Sequence, residues 1–204
     1  MVTRLFHITH LNNLPGIEQR GLLSRSRIKA CAMPYTDLSD PACQARRTDW
    51  IVAGQPVDLH HYVPLFFNPQ NPMLWRLWRS LAERGIDDRL AILEVAPDPA
   101  GWGTSLVADG IASSHQTRLF RANDASIQSA LDWRAIRCSD WRHEPDELRR
   151  KTMAEVLVHR SLHGRHIRKV WLQKPSALRE LAGKLPKRAL ACCQVDHLGE
   201  VFFT

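Results

Sequence analysis

Apolar and polar positions alternate with two different periods along this chain, and the two rarely overlap. Leu5-Phe6-His7-Ile8-Thr9 alternates like a strand entering a core. His10-Leu11-Asn12-Asn13-Leu14-Pro15-Gly16-Ile17 then turns into a helix, with Asn12 or Asn13 as N-cap, Pro15 in the first turn and Gly21 closing it. His61-Tyr62-Val63-Pro64-Leu65-Phe66-Phe67-Asn68-Pro69 is an aromatic strand ending at proline. From Gln70 a helix runs to about Arg84, with Leu74, Leu77, Trp78 and Leu81 on one face. Leu90-Ala91-Ile92-Leu93-Glu94-Val95 is a core strand and residues 104–108 a weaker one. Residues 124–133 have helical spacing, with Ile127, Leu131 and Ile136 inward. A short acidic-then-basic helix over 145–150 leads to the strand Val156-Leu157-Val158. Lys169-Val170-Trp171-Leu172 is a further strand, 176–184 an amphipathic helix and 199–203 a terminal strand. Strands and helices interleave throughout, which predicts a mixed α/β domain with no defensible internal boundary.

Residues 24–58 lack clear periodicity and are rich in charge, Pro, Ser and Asp. Long irregular segments in compact domains are commonly functional. Within this one, Ala42-Cys43-Gln44-Ala45-Arg46-Arg47 has the pattern of a short helix bearing two arginines, whose planar forks suit phosphate or carboxylate.

Glu155 precedes its apolar strand directly and follows the basic run Arg149-Arg150-Lys151. A carboxylate there either faces a cleft at the mouth of the sheet, pairs with a nearby arginine at the surface, or is a buried charge that needs a partner. His7 and Thr9 fall at the sheet edge beside a helix N-terminus, where an anion is favoured. His159, His163 and His166 are spaced for one helical face, but Gly164 and the surrounding arginines read as a basic turn rather than a metal site.

Composition narrows the field. A chain of 204 residues, 44% hydrophobic, supports one sizeable core, and residues 1–204 are expected to form a single domain. The formal charge of +7 favours an acidic partner such as nucleic acid. No run of about 18 apolar residues would span a membrane, and the opening Met1-Val2-Thr3-Arg4-Leu5-Phe6-His7 lacks a signal-peptide core, so a cytoplasmic protein is expected. Five cysteines, two of them adjacent and none in a Cys-x-x-Cys, argue against a disulfide framework or zinc knuckle. Together these features describe a cleft offering a His, a Thr, an Arg, aromatic surface and a carboxylate, which suits a dinucleotide with a scissile glycosidic bond.

Several blocks, in this order, resemble the DarT-type DNA ADP-ribosyltransferase toxins of DarT–DarG toxin–antitoxin systems. They are Phe6-His7-Ile8-Thr9-His10-Leu11-Asn12-Asn13-Leu14, Gln44-Ala45-Arg46-Arg47, the stretch from Tyr62 through Pro72-Met73-Leu74, Leu131-Asp132-Trp133 and Met153-Ala154-Glu155-Val156-Leu157-Val158. The resemblance implies the ADP-ribosyltransferase fold, a split mixed sheet with a central NAD cleft and flanking helices. It implies transfer of ADP-ribose from NAD, as co-substrate and without metal, to a base of single-stranded DNA. It also implies a DarG-like macrodomain antitoxin as partner. Under it, Glu155 and Arg47 would be catalytic. His7, Thr9, Asn13, Arg47, Phe66 and Met73 would hold NAD, and His115 and Arg46 would meet the DNA. Phe66 stands where the family carries a tyrosine, and Ala112-Ser113-Ser114-His115-Gln116 replaces the usual Thr-Asp-x-His-Ala, so the target base (thymine or guanine) and DNA over RNA stay open. A related-fold transferase acting on RNA and a basic, non-catalytic nucleic-acid-binding module are the alternatives.

Overall fold

The computed structural model describes residues 4–86, 89–97 and 103–203; Met1-Val2-Thr3 of the opening segment lie outside them. In chain order, β1 (Leu5–His10), α1 (Leu14–Arg20), β2 (Leu22–Leu23), α2 (Arg25–Ala30) and α3 (Pro41–Ala45) come first. The ribbon β3 (Trp50–Val52) and β4 (Gln55–Val57) follows, then β5 (Tyr62–Phe66), α4 (Pro72–Ala82) and β6 (Leu90–Val95). Next are β7 (Leu106–Ala108), β8 (Leu119–Arg121), α5 (Ile127–Ala130), α6 (Trp133–Ile136) and α7 (Asp146–Thr152). The remainder is β9 (Glu155–His159), β10 (Ser161–Leu162), β11 (Ile167–Leu172), α8 (Pro175–Leu181), α9 (Lys187–Leu190) and β12 (Cys193–Val195).

Eight strands form one mixed sheet in the order β12-β11-β6-β1-β5-β9-β7-β8. Only β11–β12 is parallel among its pairings. Alternation sends successive side chains to opposite faces. Leu5, Leu65, Leu93, Val156 and Leu172 therefore pack with Leu14 of α1 and Ala177 and Leu181 of α8. Phe6, Phe66, Ile92 and Trp171 pack on the other face with Leu74, Leu77 and Leu81 of α4 and with Val201 and Phe202. Leu74 is fully buried, so truncating it to alanine would cost about 2–5 kcal/mol.

One joint in the sheet makes the site. β1 pairs with β6 through six residues and β9 with β5 through five, yet β1 meets β5 only at Phe6↔Phe66. Beyond that pair the strands diverge, and His7 bridges the gap through Nδ1 to the Pro64 carbonyl at 2.9 Å. The split sheet expected above is thus a V with its vertex at Phe6–Phe66.

Several local expectations need correction. The helix over 124–133 is two short helices, because Leu131 is extended and Asp132 caps a new start by accepting from the Ala135 N–H. Residues 199–203 form no strand; Asp196 Oδ2 accepts from the Val201 and Phe202 N–H groups, and the terminal strand is β12. The segment 24–58 is more ordered than its composition suggests, containing α2, α3 and the β3–β4 ribbon. α3 ends at Ala45, leaving Arg46 and Arg47 just beyond it. Asn13 occupies the N-cap position of α1 without making a side-chain cap bond. His159, His163 and His166 lie on the end of β9 and on either side of a tight turn, not on one helix.

Candidate active site

The divergence of β1 from β5 opens a cleft of about 480 Å³. His7, Thr9, Asn13, Arg47, Phe66, Met73 and Glu155 all line it, so seven expected residues far apart in sequence converge there. Arg46 and His115 do not line it and lie on the adjoining surface.

Glu155 opens β9 opposite Phe66, 1% exposed. Its Oε1 accepts the Ala112 N–H at 2.7 Å and lies 3.8 Å from Arg47 Nη1. Glu155 Oε2 and Arg47 Nη2 are both buried without a hydrogen-bond partner. Such orphaned groups carry a substantial desolvation cost and mark a site built for something else to complete. Burial raises the Glu155 pKa, while Arg47 and the Ala112 hydrogen bond pull it down; the net direction is upward. A carboxyl poised this way can accept a hydrogen bond from a hydroxyl and takes up a proton more readily than an ordinary carboxylate.

His7 is half-buried, desolvation lowers its pKa, and its Nδ1 meets the Pro64 carbonyl. Since a carbonyl only accepts, Nδ1 carries the proton, leaving Nε2 of the neutral ring as an acceptor. Asn13 has a supporting geometry: its Nδ2 donates to Thr9 Oγ1 at 3.1 Å and to the Thr36 carbonyl at 3.0 Å. Its Oδ1 accepts the Thr36 N–H at 2.8 Å. The amide therefore pins the irregular segment 31–40 as one wall of the cleft. Arg25 to Asp37 at 2.6 Å, and the Arg76–Asp40 ion pair, hold the same wall.

Sequence reasoning missed that wall, including Tyr35 and Thr36, since nothing in an irregular stretch signals where it folds back, and with it the role of Arg76 of α4 in holding Asp40. It also missed a buried network behind Glu155. Arg150 Nη1 donates to Asp109 Oδ1 at 3.2 Å and Thr117 Oγ1 at 3.0 Å, and its carbonyl accepts the Ile111 N–H at 3.1 Å. Thr117 Oγ1 in turn donates to the Ile111 carbonyl at 2.8 Å. This network fixes the loop 109–117 that carries both Ala112 and His115. The Asp109-Gly110 dipeptide was its one sequence signal.

Among the described residues, no group of three or more His, Cys, Asp or Glu is placed to hold a metal ion. No helix among them is long and apolar enough to cross a membrane.

Comparison with known proteins adds an independent line. A family model described as "ssDNA thymidine ADP-ribosyltransferase, DarT" matches residues 6–203. The chain is 28% identical over 184 residues to a DNA ADP-ribosyl transferase–DNA ADP-ribosyl glycohydrolase fusion protein of Thermosipho africanus; the match covers 90% of this chain and 45% of that relative's length. DarT of Thermus sp. 2.9 in complex with ADP-ribosylated ssDNA superposes with a TM-score of 0.80 at 27% identity, covering 99% of this chain and 97% of the other. The same Thermus protein in complex with NAD+ superposes with a TM-score of 0.76 at 25% identity, covering 99% and 98%.

Proposed function

The chain belongs to the DarT family of ssDNA thymidine ADP-ribosyltransferases, and from that membership we propose that it transfers ADP-ribose from NAD to thymine in single-stranded DNA, releasing nicotinamide. The observation that carries the reading is the buried Glu155–Arg47 pair at the vertex of the V, with one unsatisfied polar atom on each partner. NAD is the co-substrate, in keeping with the Thermus relative bound to NAD+.

In this reaction the bond between ribose C1′ and the nicotinamide nitrogen breaks with its electrons leaving on nicotinamide. A bond then forms between C1′ and a ring nitrogen of the base, which gives up its proton. Glu155 Oε2 accepts a hydrogen bond from a ribose hydroxyl and stabilises the positive charge that develops on the sugar, an electrostatic role of large weight in a dry site. With its raised pKa, Glu155 is also a competent acceptor for the base proton. Arg47 supplies a guanidinium for the NAD phosphates and orients the substrate beside the carboxylate. His7 and Thr9 bind the nicotinamide-ribose side, and Phe66 and Met73 line the pocket around the ring. Asn13 lies on the adenosine side, where it also holds the wall at Thr36. Arg46 and His115, on the adjoining surface, meet the DNA.

The whole of residues 1–204 serves as one transferase domain in this proposal, supported by the family match from residue 6 to 203. The fused glycohydrolase of the Thermosipho relative supports a further element: the protein is the toxin half of a toxin–antitoxin pair in the cytoplasm, and a macrodomain glycohydrolase partner removes the mark. The test is incubation with labelled NAD and a panel of thymine-only, guanine-only, RNA and duplex oligonucleotides. Label on the single-stranded thymine oligonucleotide is expected. Label on RNA alone would move the substrate to the RNA alternative.

A further inference from the structure

The cleft accommodates NAD and the reacting base, but a single strand brings neighbouring bases with it. On the adjoining surface two rings from separate elements face each other. Trp50 opens β3, and His115 sits exposed in the loop 109–117. Their centroids are 6.5 Å apart and their planes within 21° of parallel. Bases stack about 3.4 Å apart along a strand. One base held between two rings therefore needs about twice that spacing. The centroid separation of 6.5 Å comes close to it, and lies at the long end of the range for rings resting on one another.

The pair is also held and placed for this task. Trp50 Nε1–H donates to the Arg46 carbonyl at 3.1 Å, and Arg46 Nε–H donates to the Ser113 carbonyl at 2.9 Å. These two bonds tie the backbones behind both rings. Ser113, one of the tied residues, and Arg47, next to Arg46, line the cleft, so the pair stands beside its entrance. Arg118, on the same loop-to-β8 edge, pairs with Asp109 through Nε at 3.0 Å and rests against Phe120 at 5.5 Å, with its side chain 67% exposed toward a passing phosphate backbone.

We propose that Trp50 and His115 form a stacking slot for a base adjacent to the target base in the single-stranded DNA substrate. The inference rests on the DNA-directed reading above. Because stacking tolerates any base, the slot sets the position of the strand rather than its sequence.

The test is a scan with oligonucleotides bearing one thymine and a single abasic site moved stepwise through the flanking positions, with initial rates read by intact mass. One abasic position raises the wild-type KM for DNA about tenfold, the scale of one lost base–aromatic stack. Trp50→Ala raises the KM for the intact oligonucleotide by a similar factor, and that abasic position then adds less than about twofold, as expected for two changes removing one interaction. Trp50→Phe, which keeps a ring face, recovers most of the loss, whereas the KM for NAD shifts little beside that for DNA. If Trp50→Ala fails to fold, Trp50→Leu carries the same test by filling space without a ring face. A Trp50→Ala enzyme with wild-type KM for DNA, or one that keeps the full abasic penalty, overturns the slot while leaving the transferase standing. A wild-type enzyme that modifies no single-stranded DNA takes both down.

Discussion

The Ala112 N–H donates to Glu155 Oε1 at 2.7 Å, tying the loop 109–117 to the carboxylate that opens β9. One oxygen is therefore occupied by the protein, while Oε2 has no hydrogen-bond partner among the described residues. The position of the loop and the aim of the carboxylate are coupled, so distant residues that hold the loop also hold the chemistry.

Arg150 is the clearest such residue. Its pair with Asp109 is buried on both sides, at 9% and 5% side-chain exposure. Removing Arg150 leaves Asp109 with only the exposed Arg118, at 3.0 Å, so the cost falls toward the low end of the roughly 3–5 kcal/mol of breaking a buried pair. Arg150→Met is expected to lose stability on that scale in denaturant unfolding and to lower kcat more than it raises the KM for NAD. Gly110 gives a second handle, because a Cβ there would stand 2.3 Å from Arg150 Nη1 and 3.0 Å from its carbonyl oxygen. Gly110→Ala should reproduce the kcat loss without removing any charge.

Acidity of Glu155 gives a prediction with a definite sign. Burial raises its folded pKa above the ordinary 4.5. The unfolded state therefore releases that proton first as pH rises, and the group's stabilising contribution, complete below about 4.5, is lost as pH climbs through the folded value. Relative to Glu155→Gln, the wild type should lose stability on going from acid to neutral pH, read by thermal unfolding at stepped pH. The acid limb of the kcat profile should likewise lie above the ordinary carboxylate range.

Arg47 opposes that rise. Arg47→Ala is expected to push the acid limb further up in pH and to lower kcat about 10²-fold, the effect of losing one preorganised donor. Arg47→Lys restores charge without the planar fork and should recover only part of the loss.

Asn13 tests the wall of the cleft. Two of its three side-chain bonds, those to Thr36, tie the start of α1 to segment 31–40, and the third goes to Thr9 of β1. Asn13→Ala should raise the KM for NAD about tenfold, the cost of roughly one or two lost hydrogen bonds, with kcat less affected in steady-state assays.

How much of this was legible in the sequence follows from element length and from where partners lie. β1, α1, α4, β6 and β11 are long or strongly patterned, and their periodicity located them to within a few residues. Glu155 stood out because a charge next to an apolar strand needs a reason, whereas Arg47 was marked by the arginine pair and the family-like block Gln44-Ala45-Arg46-Arg47. The β3–β4 ribbon did not, since three-residue strands carry too few positions to show alternation and its turn hides in Ala53-Gly54, both at positive φ. Leu131 illustrates the opposite failure: the helical spacing across 124–136 is real, but Asp132 caps a second helix and breaks it. The Arg150–Asp109 network and the Trp50–His115 pair join residues 41 and 65 positions apart through tertiary contacts alone. No local pattern announces them.

The most direct measurement is the intact mass of a one-thymine single-stranded oligonucleotide after incubation with NAD and either the wild type or Glu155→Gln, a near-isosteric change that keeps the Ala112 hydrogen bond but removes the ionisable group. The account predicts a gain of one ADP-ribose with the wild type and a loss of at least about 10²-fold in rate with the variant. Equal modification by the two proteins would contradict the role given to Glu155 and, with it, the chemistry assigned to the cleft.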